Sequence, residues 1–131
     1  MTITVLLADD NPVFLASVWG LLYLLPNTKI IAEARDGEEA LAKAWQLKPD
    51  LLLLDIVMPK LNGLDVARAM QSWPRAPRII FLSMNDDEAY RAAARDLGAF
   101  GFVAKSDFVV GLILLIERLV ADKSGNGETL Q

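Results

Sequence analysis

Two kinds of apolar pattern alternate along the chain. Short continuous apolar runs occupy residues 3–8, 30–34, 51–54, 79–83 and 101–104, bounded by turn-forming or charged residues. A run without polar alternation suits a strand covered on both faces, as in a parallel sheet. Between these runs the apolar positions recur every three or four residues. Phe14, Val18, Leu21, Leu22 and Leu25 form the first such stripe, opened by Asp10-Asn11-Pro12 and closed by Pro26-Asn27. An Asx cap and a first-turn proline favour helix initiation there. Ala40, Leu41, Ala44 and Trp45 follow Asp36-Gly37 as a second stripe, and Val66, Ala67 and Met70 follow Asn62 as a third. The fourth stripe, Ala89, Ala93 and Leu97, is mostly small, so its helix is expected to bury little and to shift easily. The fifth, Phe108, Leu112, Leu115 and Leu119, belongs to a strongly apolar helix over 108–121. Residues 122–131 are polar and contain glycine, which predicts a linker or flexible tail after a domain spanning 1–121.

Strands alternating with helices predict an α/β domain with a doubly wound five-stranded parallel sheet between two helical layers. Right-handed crossovers favour the strand order 2-1-3-4-5, a flavodoxin-like three-layer sandwich. The second run is weaker and more polar, as an edge strand should be. In this order the first and third strands are neighbours, and ligands of open parallel sheets bind beyond the strands' carboxyl ends. There the leucine run 51–54 ends in Asp55, with Met58-Pro59 and Gly63 turning the chain, and the first run ends in Asp9-Asp10.

Composition narrows the chemistry. A chain of 131 residues is the size of one domain with a substantial core. It contains neither cysteine nor histidine, which removes disulfides, thiolate and imidazole metal ligands and His-based catalysis. A metal here would be held by oxygen, which points to a hard cation such as Mg²⁺. A net charge of −4 without a basic run argues against direct binding to nucleic acid. The most apolar stretches, 14–25 and 108–116, are too short to cross a membrane, and Asp9 and Asp10 follow the first strand without a signal peptide, so a cytoplasmic protein is expected.

The predicted topology gathers Asp9, Asp10 and Asp55 at one sheet edge. Each pair of like charges a few ångströms apart costs on the order of 1 kcal/mol in water and about 4 kcal/mol at an effective dielectric of 20. A divalent cation among them removes that penalty. The fourth strand ends in Ser83 and the fifth runs into Lys105, so the same edge gains a hydroxyl and a cation.

Asp9-Asp10, Asp55 with Met58-Pro59 and Gly63, Ser83, and Lys105 in Phe102-Val103-Ala104-Lys105 together resemble the receiver domain of two-component response regulators, over residues 3–121. Ala8-Asp9-Asp10-Asn11-Pro12 and Phe81-Leu82-Ser83-Met84 are most similar to the subfamily whose output is a helix-turn-helix DNA-binding domain. The resemblance implies that Asp55 accepts a phosphoryl group from a sensor histidine kinase. It also implies that Asp10, Asp55 and the backbone carbonyl of Val57 ligate Mg²⁺, with Asp9 acting mainly through a bound water. Ser83 and Lys105 would contact the phosphoryl group, and Ser83 and Phe102 would form the switch. Transcription would be regulated through an output domain that residues 1–131 do not include. The physical logic agrees: a carboxylate attacks phosphorus only when the phosphate's charge is neutralised, and Mg²⁺ and Lys105 supply positive charge on either side.

Three other readings compete. A phosphohydrolase of the haloacid-dehalogenase type needs a second acid two residues after its nucleophile, where this chain has Val57. A flavodoxin-like electron carrier needs a phosphate loop where Asp9-Asp10 would repel one. A receiver-like binding module acting without phosphorylation would have lost one of the site residues, and none is lost. Finally, the first and last helices are more apolar than one buried stripe requires. Leu15, Trp19 and Tyr23 on the first and Val110, Ile113 and Leu114 on the last are expected to share an exposed face, for a homodimer or for an absent output domain.

Overall fold

The computed structural model describes residues 2–129, with side chains described as far as Lys123. Strands β1 (Ile3–Ala8), β2 (Thr28–Ala34), β3 (Leu51–Asp55), β4 (Arg78–Ser83) and β5 (Gly101–Ala104) form one parallel sheet in the order β2-β1-β3-β4-β5. Helices α1 (Pro12–Leu24), α2 (Gly37–Leu47), α3 (Gly63–Ala69), α4 (Glu88–Asp96) and α5 (Phe108–Thr129) alternate with them. The predicted fold class and strand order are those observed.

The leucines of β3 explain why both faces need covering. Leu51 and Leu53 point into a core shared with Leu15 and Val18 of α1 and Leu112 and Ile116 of α5, while Leu52 and Leu54 point into one shared with α2, α3 and α4. All four are fully buried, and each contributes roughly 1.5–3 kcal/mol through burial. Side chains at or just after the strands' carboxyl ends also start helices. Asn11 accepts the N–H groups of Val13 and Phe14, Asp36 that of Glu39, Asn62 that of Asp65 and Asp87 that of Ala89. Each satisfies a donor that the first helical turn leaves unpaired.

Three expectations shift. The buried face of α1 is Leu15, Val18 and Leu22 rather than the stripe beginning at Phe14, because the Phe14 ring turns aside to meet Phe108 edge-on at 5.1 Å. At α4 the inward residues are Tyr90, Ala94 and the capping Leu97, while Ala89 is exposed, because the larger Tyr90 and Leu97 side chains pack against the core beside the buried Ala94. Last, α5 does not stop at Ala121 but runs through Phe108–Thr129. Beyond Ala121, Asp122 pairs with Arg78 at 3.4 Å and Lys123 with Asp50 at 2.7 Å, which ties the helix to the amino ends of β4 and β3. The Asp50 carboxylate also accepts the backbone N–H of Thr4 at 2.9 Å. The last two residues of the expected tail lie outside the described residues. Among the described residues no helix is long and apolar enough to cross a membrane.

Candidate functional site

Asp9 follows β1, Asp55 closes β3, Ser83 closes β4 and Lys105 follows β5, so the sheet order alone brings four side chains to one edge. Asp9 and Asp55 are only 1% and 3% exposed, whereas Asp10 is exposed. One carboxylate oxygen from each of the three lies within 4.8 Å of the others. Lys105 reaches across from β5 with its Nζ 2.7 Å from Asp9 Oδ2 and 3.2 Å from Asp55 Oδ2. Its ammonium also lies 4.7 Å from the centre of the Phe14 ring, an aromatic wall to which the sequence had assigned only a core role.

The loop after β3 is held from below. Ile56 N–H donates to the carbonyl of Leu82 at 3.1 Å, Gly63 N–H to that of Ile56 at 2.7 Å and Gly37 N–H to that of Pro59 at 3.3 Å. These approaches need glycine: a Cβ at Gly63 would sit 2.3 Å from the carbonyl oxygen of Asp55, and one at Gly37 would sit 2.2 Å from that of Leu61. Ile56 and Met58 are buried by this anchoring, and the Val57 side chain is turned out, 63% exposed.

Burial, and then the charge of Asp9, push the Asp55 carboxyl up to about 6, and Lys105 and the Val57 N–H only partly oppose them. The Asn11 N–H satisfies Asp9 Oδ1 at 2.9 Å. The other oxygen, Asp9 Oδ2, touches Lys105 but lies outside hydrogen-bond geometry and accepts no hydrogen bond. Three carboxylates converging at one edge, with a single ammonium set against two of them, fit a hard cation.

Ser83 is buried, and its hydroxyl is engaged by its own loop: Oγ donates to the Asn85 carbonyl at 2.8 Å and accepts the Asn85 N–H at 3.1 Å. Phe102 is half-buried on the α4 side of β5, with the Arg91 guanidinium 4.6 Å from its ring centre. Sequence reasoning missed Arg91, because nothing in its spacing links it to Phe102.

One member of the expected α1/α5 face is corrected. Leu15 is buried in the core, since it is the α1 residue that faces the sheet. Trp19 leans towards β2, where its indole N–H donates to Glu33, and with Tyr23 it lines a groove beside Thr28 and Ile30. Leu114 instead lines a groove beside β5, at the opposite sheet edge. Val110 is exposed and Ile113 half-buried.

Comparison with known proteins gives a consistent picture. A family model described as the response regulator receiver domain matches residues 5–113. Transcriptional regulatory protein DegU of Brevibacillus brevis is 34% identical over 104 residues, covering 79% of this chain and 44% of DegU. Nitrate/nitrite response regulator protein NarL of Escherichia coli is 34% identical over 127 residues, covering 97% of this chain and 59% of NarL. The chain thus spans about half the length of these curated relatives. A crystal structure of a LuxR-family two-component response regulator from Aurantimonas superposes with a TM-score of 0.85 at 30% identity, covering 93% of this chain and 87% of that one.

Proposed function

Because the chain belongs to the response regulator receiver domain family, we propose that Asp55 is its phosphoacceptor, charged by a sensor histidine kinase. The observation that carries the reading is Asp55 Oδ2 at the end of the central strand, 3.2 Å from the Lys105 ammonium and beside two further carboxylates. In the transfer a carboxylate oxygen of Asp55 attacks phosphorus. An O–P bond forms, the N–P bond of the phosphohistidine breaks, and the imidazole departs. Lys105 meets the phosphoryl oxygens as its hold on Asp55 is exchanged for them. The Ser83 hydroxyl turns from Asn85 to donate to another phosphoryl oxygen, drawing the loop after β4 inward. Asp10, Asp55 and the Val57 carbonyl would hold Mg²⁺, with Asp9 acting through water, and the ion would supply positive charge against the incoming group.

Phosphoramidate with Mg²⁺ is expected to add one phosphoryl group, mapped to Asp55 by borohydride reduction and lost with EDTA. Asp10→Ala should suppress labelling more than Asp9→Ala, because direct ligation matters more than ligation through water. Labelling that survives EDTA, or maps elsewhere, would overturn the assignment. Control of transcription through a DNA-binding output is the reading supported by two relatives, the transcriptional regulatory protein DegU and the DNA-binding transcriptional activator EvgA of Escherichia coli.

This reading is of a regulatory domain that catalyses only its own labelling and discharge. The exposed Val57 stands where a hydrolase of this chemistry carries a second acid. Val57→Asn and Val57→Glu, which can orient a water, are expected to change the decay of label several-fold while leaving its formation nearly unchanged. Decay followed by intact mass checks this, and a lifetime unchanged from wild type in both variants would count against it.

A further inference from the structure

One guanidinium ties together the parts that would move on phosphorylation. Arg91, on α4, bonds through Nε to the Asp86 carboxylate in the loop after β4. That loop also holds the Ser83 hydroxyl through Asn85, one residue before Asp86. The same guanidinium lies over the Phe102 ring on β5 at 4.6 Å. All three residues line a groove of about 520 Å³ between α4, β5 and α5. For Ser83 to reach a phosphoryl group on Asp55, Asn85 has to release it and the loop has to shift. The Arg91–Asp86 pair resists that shift, and the guanidinium covers the ring that would move with it.

We propose that Arg91 is a positioning residue that latches the unphosphorylated conformation, holding the Ser83 loop and Phe102 in place together and releasing them together. The proposal rests on Asp55 being the phosphoacceptor. A latch that stabilises only the resting state lowers the apparent affinity for any phosphoryl mimic, since a ligand shifts an equilibrium by its differential affinity for the two states. Breaking it raises that affinity.

The test is a titration of the full chain with Mg²⁺ and beryllofluoride, a phosphoryl mimic, read by amide NMR shifts along β5. The rate of phosphoramidate labelling is measured alongside. Arg91→Gln is expected to bind the mimic about threefold more tightly and to label faster, as loss of one exposed ion pair allows. Asp86→Asn should act in the same direction, and the double variant should gain no more than the stronger single one, because both break one contact. Arg95→Gln, which removes the neighbouring Arg95–Glu88 pair on the same helix, should match wild type. Equal affinity in wild type and Arg91→Gln, full additivity in the double variant, or the same gain in Arg95→Gln would overturn the latch while leaving Asp55 as phosphoacceptor. If wild type neither binds the mimic nor labels at Asp55, the phosphoacceptor reading falls, and the latch with it.

Discussion

Asp55→Asn is expected to abolish labelling and, in the metal-free protein, to make the fold more stable at neutral pH. Asparagine keeps the shape of the side chain but cannot attack phosphorus. The gain in stability follows from the raised carboxyl. Burial and the charge of Asp9 lift Asp55 from 3.8 to about 6, so the folded protein binds its proton more tightly than the unfolded chain does. Ionising the group therefore costs the fold stability. The cost is absent below about pH 4, where the acid is protonated in both states, grows as pH rises towards about 6, and is complete above it. Its size is on the order of 2 to 3 kcal/mol. Lys105 keeps Asp9 as a partner in the variant, so the substitution strands no buried cation. Denaturant unfolding at a series of pH values in EDTA checks the prediction: the variant should lead wild type above about pH 6, with the lead shrinking towards pH 4. Mg²⁺ should narrow it by stabilising wild type alone. A lead that does not vary with pH would mean that ionisation of Asp55 is not its source.

Gly63→Ala should be among the most damaging single-methyl additions in the chain. Its Cβ would lie 2.3 Å from the carbonyl oxygen of Asp55 and 3.0 Å from Ile56 Cα, both backbone atoms of the anchored loop. Neither can step aside as a flexible side chain would, so the β3–α3 loop has to move and break the Gly63 N–H bond to Ile56. Overpacking of this kind costs about 3 kcal/mol when the backbone itself has to shift. Gly37→Ala should behave alike, since its Cβ would meet the Leu61 carbonyl at 2.2 Å. The control is Gly20→Ala in α1, where a Cβ meets nothing within 4 Å. There alanine should stabilise by roughly 0.5–1 kcal/mol through helix propensity. Urea midpoints of the three variants decide the matter. If Gly63→Ala unfolds at the same midpoint as Gly20→Ala, the close approach is not a constraint.

The carboxylate edge was legible in the sequence because parallel sheets impose it. Once the runs ending at Asp9, Asp55, Ser83 and Lys105 were read as buried strands, the strand order put their ends together without any side-chain detail. Helix phase was less legible. Phe14 and Leu15 are both apolar, and only the packing of Phe14 on Phe108 decides which one faces the sheet. In α4 the alanines fit several phases, and only the packing of Tyr90 and Leu97 on the core decides between them. Long polar side chains were least legible: Arg91 meets Phe102 and Asp86 only because three elements converge, and no local rule encodes that. The run of α5 past Ala121 was hidden for the same reason, since Asp122 and Lys123 look like tail residues until Arg78 and Asp50 stand opposite them.

Those two ion pairs give α5 the mechanics of a pinned rod. One end begins just after Lys105, beside Asp55, and the clasp to Arg78 and Asp50 lies at the other pole of the sheet, roughly 16 Å of strand away. Each such partly exposed pair contributes at most about 1 kcal/mol, enough to favour pivoting at that end over sliding. A displacement at the Asp55 end is then carried along the helix more as a change of angle than of distance. Loosening the pivot at Lys123 would blunt that message without touching the chemistry.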